Sequence, residues 1–478
     1  METIKNYING KWVSGESTGK NINPSNITDI VGEYTHASAA QVNEAVDAAS
    51  KAASGWAFST PQQRFDVLDF VGSEILARKE ELGKLLAREE GKSLPESIGE
   101  VNRAGQIFKF FAGEALRIQG DKHDSVRPGI EIEVIRQPIG VVGLITPWNF
   151  PIAIPAWKIA PAIAYGNSVV FKPAELTPGC AWSIADIISR SGLPAGVFNL
   201  VVGPGYIVGD AIVNHPDVAG ISFTGSVGTG RKIAVTCATR LAKVQLEMGG
   251  KNPFVVVDDA DLDLAVNCAV NSAFFSTGQR CTASSRIIVT EGIHDRFVEK
   301  MVSTLKELKV GEATDINTQI GPLASKSQLS KSIEYLQIGK DEGATLACGG
   351  EELKSGSEGY FLTPALFVNT TNDMRINREE IFGPVATIIK VKDYDEALAV
   401  ANDTEFGLST GIATTSLKTA SHFKKHAKAG MVMVNLPTAG VDYHVPFGGS
   451  RGSSYGSREQ GKYAAEFYTT VKTIYINP

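Results

Sequence analysis

The 478-residue chain carries 46 basic and 52 acidic side chains, a formal net charge of -6, and 43% hydrophobic residues. That length suggests two or three domains, and that balance excludes a general pull toward nucleic acid or an anionic membrane surface. The five cysteines, at 180, 237, 268, 281 and 348, form no C-x-x-C pair, so neither a disulfide framework nor a zinc knuckle is indicated and a reducing cytoplasm fits.

Residues 1–13 are polar, without the apolar core of a secretory signal. The longest uncharged stretch, 137–157, is interrupted by Pro147, Pro151 and Pro155 and followed by Lys158, so it does not read as a membrane span. The first third is helical in pattern. An alanine-rich stretch covers 39–53, and Val67, Leu68, Val71, Ile75, Leu82, Leu85 and Leu86 recur at helical spacing over 61–88. A further amphipathic helix is predicted over 101–118. Residues 131–136 then alternate as an exposed strand.

After that, short apolar runs (141–146, 168–172, 197–202, 220–224) alternate with helix candidates (152–165, 178–191, 206–214). Such steps mark a parallel α/β sheet. A second α/β series follows Gly250, with strands predicted at 254–257, 285–289 and 386–392 and helices at 264–275 and 294–308. The tail alternates again over 466–476, and this segment and 130–137 can pair with each other or with another subunit.

Several constellations can carry chemistry. Cys281 follows Arg280 among small residues, and a positive neighbour would lower the thiol pKa. Otherwise it is an inert buried cysteine. Glu247 ends an apolar strand beside two glycines, an environment suited to a general base, or else a surface glutamate at a strand exit. Asn149 lies in a loop fixed by two prolines, where its amide can donate to an oxyanion or cap the following helix. Lys172 and Glu175 stand at the end of a predicted parallel strand, where ligands bind, or form a solvated proline turn. The run 223–230, Phe-Thr-Gly-Ser-Val-Gly-Thr-Gly, combines strand end, glycine-rich turn and helix start, a place for phosphate, although it is not G-x-G-x-x-G. Two decoys are set aside. Ser454 matches G-x-S-x-G, but its flanks are loop-like rather than strand and helix. His422 and His426 are separated by Phe and two lysines, which disfavours a metal.

Together, Pro147-Trp-Asn-Phe-Pro, Lys172-Pro-Ala-Glu, Phe223-Thr-Gly-Ser, Leu246-Glu-Met-Gly-Gly-Lys, Gly278-Gln-Arg-Cys, Glu380-Ile-Phe-Gly-Pro and Pro446-Phe-Gly-Gly resemble the aldehyde dehydrogenase superfamily over essentially the whole chain. Met248, where many members have leucine, is a departure that nearly conserves volume. The resemblance implies an α/β fold with a Rossmann-like cofactor-binding domain (1–120 and 140–248), an α/β catalytic domain (249–450) and a small β oligomerisation flap (121–139 and 451–478). It implies Cys281 as nucleophile, Glu247 as base and Asn149 as oxyanion donor. Thr146, Trp148, Lys172, Glu175, Gly225, Ser226, Glu380 and Phe382 would hold the cofactor, and no metal is implied. Glu175 favours NAD by accepting from the ribose 2′-OH, while nearby Lys172 leaves NADP open. A homodimer or homotetramer is expected, with no nucleic-acid or membrane partner.

For the aldehyde itself, Phe150 and Trp157 are expected to line a mostly apolar tunnel. Arg280 either meets a carboxylate at the substrate's far end or pairs with a protein carboxylate and only tunes the thiol. The segment 439–456 looks most like that of 2,5-dioxovalerate (α-ketoglutaric semialdehyde) dehydrogenases. Succinic, glutaric and aminoadipic semialdehydes and phosphorylated aldehydes remain alternatives.

Overall fold

A computed structural model describes residues 3–353 and 358–478. Among them, an eight-stranded sheet runs, in spatial order, Ser454–Tyr455, Lys243–Met248, Val218–Gly225, Val141–Ile145, Ser168–Lys172, Phe198–Leu200, Asn6–Ile8 and Lys11–Val13. The five middle strands are parallel. Val141–Ile145 and Ser168–Lys172 are buried at every position, as expected of strands covered on both faces. The chain walks from Val141–Ile145 outward to Phe198–Leu200, then returns to build Val218–Gly225 and Lys243–Met248 on the opposite side. The order therefore reverses between Val141–Ile145 and Val218–Gly225, and the carboxyl ends flanking such a reversal open a binding crevice. The proline-framed loop after Ile145 and the glycine-rich turn after Thr224 leave from those two ends.

The second sheet orders Thr345–Cys348, Ala365–Thr370, Val385–Val391, Arg286–Thr290, Pro253–Val256, Ser409–Ala413 and Met431–Val434, parallel except at Thr345–Cys348. It faces the crevice with the opposite polarity. Asn252, Cys281, Phe382 and Leu408 all precede its strands. One sheet thus offers the ends of its strands to the crevice and the other offers their beginnings.

Helix Leu94–Ala115 packs on Pro61–Ala77 and on Ala153–Ala164, burying Val101, Ala104, Ile107, Phe108 and Phe111 in the core. The helix predicted over 61–88 is in fact two, Pro61–Ala77 and Lys79–Glu90, broken at Arg78, whose ψ of 17° leaves the helical well. The one predicted from 101 begins at Leu94, with Pro95 in its first turn. The one predicted over 206–214 opens as a wide turn, Gly205–Gly209, before Asp210–Asn214. The first third is not wholly helical either: Thr3–Ile4, Ser17–Ile22 and Ile30–His36 form a small sheet.

Glu131–Pro138 is half-buried through most of its length rather than exposed, because Thr469–Ile476 and Asp121–Asp124 flank it. Of the two pairings open to the tail, the one within the chain forms, antiparallel from Thr469 opposite Pro138 to Ile476 opposite Glu131. Ser454–Tyr455, from the segment expected in the flap, instead pairs with Leu246 and Glu247. Asn167 ties this three-stranded sheet to the first sheet. Its Oδ1 accepts from the Ile139 and Gly140 amides at 2.9 and 3.1 Å, and its Nδ2 donates to the Tyr468 carbonyl at 2.9 Å. Among the described residues no helix is long and apolar enough to cross a membrane.

Candidate active site

Cys281 enters the crevice on a turn that only an imposed geometry would choose. Ser276, Thr277 and Gly278 are consecutively left-handed, with φ of 52°, 57° and 67°. Glu96, from helix Leu94–Ala115, fixes the turn by accepting from the Ser276 amide and hydroxyl at 3.0 and 2.9 Å. A Cβ on Gly278 would meet the Gly383 carbonyl at 2.3 Å, so the position requires glycine. Downstream, Asn252 Nδ2 donates to the Cys281 and Ala283 carbonyls at 2.7 and 3.0 Å, while its Oδ1 accepts from the Ser409 amide. The thiol is therefore positioned by backbone held from three sides.

Arg280 does not activate it. Its guanidinium ion-pairs with Glu96, and its Nε donates to Ser276 at 3.0 Å. Burial, followed by the charges of Glu247 and Glu380, pushes the Cys281 thiol up to about 12, against opposing donation from the Thr282 and Cys281 amides. The lowered thiol pKa expected from an adjacent arginine is thus reversed. The arginine's charge is already neutralised, and desolvation of the thiolate dominates.

Asn149 is buried, and Nδ2 donates to the Gln279 carbonyl at 2.9 Å, two residues before Cys281. A primary amide has a second N–H, so one donor remains for a ligand oxygen. The loop is braced from beneath. Lys92 Nζ donates to the Asn149 carbonyl at 2.7 Å and ion-pairs with Glu100 at 2.5 Å. Glu100 in turn accepts from the Ile152 and Ala153 amides, where helix Ala153–Ala164 starts. Burial opposes the Lys92 charge, but Glu100 and Glu90 outweigh it and hold its pKa above the usual value.

Glu247 is buried at the end of strand Lys243–Met248. Ser454 donates to its Oε2 at 2.5 Å, and its Oε1 is without a partner. Burial, then the charge of Glu459, raise its pKa well above the carboxylate range; Ser454 and Lys158 oppose this. A Cβ on Gly448 would stand 2.6 Å from Oε1, so the glycine keeps room beside that oxygen. Behind it lies a fully buried pair, Lys158 with Glu459, joined through Ser222 to Gln245.

Two cavities meet at Cys281. One, of about 190 Å³, is lined by Trp148, Asn149, Gly225, Ser226, Met248, Gly249, Glu380 and Phe382. Ser226 precedes helix Val227–Thr239 with no side-chain cap, so the first amides there are available to an anion. Glu380 accepts from the Gly250 amide at 2.9 Å, and a Cβ on Gly249 would strike its carboxylate at 2.2 Å. Phe382 meets Trp148 edge to face at 5.5 Å. These features fit a dinucleotide laid across the crevice. Thr146, Lys172 and Glu175 do not line this cavity. Thr146 follows Val141–Ile145, and Lys172 ends Ser168–Lys172 just before Glu175, with the Lys172 ammonium on the Pro173 carbonyl at 2.8 Å and its pKa lowered to about 8 by burial against Glu175.

The other cavity, of about 430 Å³, is lined by Phe150, Trp157 and Phe447 together with Lys92, Arg103 and Arg280. Trp157 stacks on Phe447 at 5.3 Å. A thiol at the junction, a buried carboxylate and an amide donor can together carry acyl chemistry: attack, oxyanion binding and activation of water. Sequence reasoning missed Ser454, Asn252, Glu96, the Lys92–Glu100 brace and the Lys158–Glu459 pair. A lysine inside the apolar run 152–164 was a signal for the last of these.

The model of the aldehyde dehydrogenase family matches residues 12–474, and the chain belongs to that family. It is an NAD(P)-dependent aldehyde dehydrogenase, an enzyme that oxidises an aldehyde to a carboxylic acid. It is 45% identical to the α-ketoglutaric semialdehyde dehydrogenase of Bacillus subtilis (strain 168), over 100% of this chain and 99% of the relative. It is 44% identical to the α-ketoglutarate semialdehyde dehydrogenase of Haloferax volcanii, over 98% of each. Among solved structures, the betaine aldehyde dehydrogenase of Staphylococcus aureus in complex with NAD+ superposes with a TM-score of 0.97 at 34% identity, over 99% of this chain and 95% of that one.

Proposed function

We propose that the protein oxidises 2,5-dioxovalerate to 2-oxoglutarate with NAD. The observation that carries the chemistry is Cys281 at the junction of the two cavities, with Asn149 on the wall of the smaller one and Glu247, which lines neither, near enough for its charge to raise the thiol pKa. The semialdehyde follows from full-length likeness to relatives that bear that name. The smaller cavity would hold the nicotinamide end of NAD, which would supply the hydride acceptor. Ser226 and the helix behind it would take the pyrophosphate, Glu380 the nicotinamide-side ribose and Phe382 the nicotinamide. Lys172 and Glu175, outside that cavity, would take the adenine-side ribose, and Thr146, Trp148 and Gly225 would complete the cofactor contacts.

The Cys281 thiol loses its proton to solvent, and the resulting thiolate adds to the aldehyde carbon. The free N–H of Asn149 and the Cys281 amide receive the oxyanion. Collapse of that oxyanion releases hydride and leaves a thioester on Cys281. Glu247 takes a proton from water, which attacks the thioester, frees the acid and restores the thiolate. A carboxylate with raised pKa is a stronger base once ionised, which supports Glu247 in this role.

The domain division of 1–120 with 140–248, 249–450, and 121–139 with 451–478 belongs to this reading, as does a homodimer or homotetramer. Strand Thr469–Ile476 supports the assembly with a free edge and exposed Val471, Tyr475 and Ile476. Five unpaired cysteines support a reducing cytoplasm. The deciding measurement is kcat/KM across 2,5-dioxovalerate, succinic, glutaric and aminoadipic semialdehydes and a phosphorylated aldehyde, with NAD and NADP. A higher value for any other aldehyde overturns the substrate. A tenfold preference for NADP overturns the cofactor. A monomer in light scattering overturns the assembly.

A further inference from the structure

Three cations line the larger cavity, and two are already spent. Lys92 is paired with Glu100, and Arg280 with Glu96. Arg103, which projects from helix Leu94–Ala115, is paired with no carboxylate among the described residues. Its one hydrogen bond there runs from Nη2 to the neutral side-chain oxygen of Gln460 at 3.1 Å. Its Nε is shielded from water and has no partner at all. The guanidinium carbon stands 5.6 Å from the centre of the Trp157 ring, which steadies the group by its face.

Glu100 and Asp442 are near enough for their charges to act on it, but neither is bonded to it. Glu100 is held by Lys92 and two amides, and Asp442 is exposed on the loop opposite without an ion pair to Arg103. The half-buried guanidinium faces the cavity with a shielded Nε that has no partner, and an unused buried donor is costly unless a ligand completes it. Its flat fork matches a planar carboxylate or a phosphate, and the carboxylate is the anion that the proposed substrate carries.

We propose that Arg103, not Arg280, grips the carboxylate at the far end of the substrate. The helix that carries it thereby sets selectivity for acidic aldehydes, while Arg280 holds the Cys281 turn through Glu96. This rests on the reading of the substrate as 2,5-dioxovalerate.

Wild type, Arg103→Met and Arg103→Lys are compared on 2,5-dioxovalerate and on pentanal, a neutral aldehyde of equal length. Arg103→Met should lose about 10- to 150-fold in kcat/KM on the acid, mostly through KM. The loss should exceed that on pentanal at least tenfold, and Arg103→Lys should recover part of it. Equal losses on both aldehydes overturn the proposal and make Arg103 a packing residue. If wild type itself prefers pentanal, the substrate reading falls, and the anchor is judged separately by inhibition of pentanal oxidation with 2-oxoglutarate. That inhibition should weaken about tenfold in Arg103→Met, and an unchanged constant overturns the anchor.

Discussion

The two cavities that meet at Cys281 are made of different materials. The cofactor side is shaped by backbone: a glycine-rich turn, the uncapped start of helix Val227–Thr239, and glycines at 249 and 250 that admit Glu380. The aldehyde side is shaped by charge pairs between distant segments, Lys92 with Glu100 and Arg280 with Glu96. Backbone walls tolerate few residue types, because a Cβ or a changed φ closes them. Charge-paired walls tolerate exchange as long as both partners change together. A fold with one rigid cavity and one re-writable cavity keeps its cofactor while its substrate varies.

The strongest way to break that comparison is at the shared border. Cys281→Ala should abolish oxidation of every aldehyde while NAD still quenches tryptophan fluorescence. Loss of NAD binding would mean that the cavities are one site rather than two. Glu247→Gln should give a burst of NADH of about one per active site and then stall, as rapid-mix absorbance would record; steady turnover at the wild-type rate would remove Glu247 from thioester hydrolysis.

Next comes the oxyanion loop. Asn149→Ala should cost roughly 100- to 1000-fold in kcat, the range for losing one such donor. Its effect should be alike for charged and neutral aldehydes, because it acts at the carbonyl and not on the cavity walls. A loss confined to acidic substrates would place Asn149 in recognition instead.

The smallest effect sharpens the comparison through pH. The Glu247 pKa is raised by burial and by Glu459, so the hydrolytic step should speed up as pH rises and the carboxylate ionises. Ser454 donates to the ionised form and opposes the rise. Removing that donor with Ser454→Ala raises the pKa further, so the rising limb of kcat should move to higher pH, by up to about one unit if the bond is worth ~1.4 kcal/mol. A limb that stays in place or moves down would show that the hydroxyl does not bear on the base.

The same contrast governs what could be read from the chain. Gly278 and Gly249 announce themselves, because a Cβ would clash at either, and Trp148, Gly225, Ser226, Glu380 and Phe382 are legible as motif residues that line one cavity, whereas Thr146, Lys172 and Glu175 belong to equally plain motifs and do not line it. The partners on the aldehyde side lie 184 residues apart for Arg280 and Glu96, and nothing local links them. Arg280 was therefore credited with lowering a thiol pKa that burial in fact raises. G-x-S-x-G raises only the question of a nucleophile at Ser454, whereas strand pairing brings its hydroxyl to the Glu247 carboxylate as a hydrogen-bond donor. The two-sheet α/β organisation was legible from its alternating runs. The N-terminal strands were not, since Ser17–Ile22 buries one residue in six and shows no apolar alternation. The break at Arg78 involves neither glycine nor proline, so the helical period ran straight through it.

Asn167 gives the three-stranded sheet a mechanical reach. One amide holds Ile139 and Gly140 on one side and Tyr468 on the other, so the tail strand is pinned to the root of Val141–Ile145. That strand is five residues long, a stiff shaft of about 16 Å between neighbours on both sides. At its far tip sits the loop that holds Asn149. A displacement of the tail strand would be delivered along this shaft to the Asn149 loop, so the two ends of the strand move as a single stiff member.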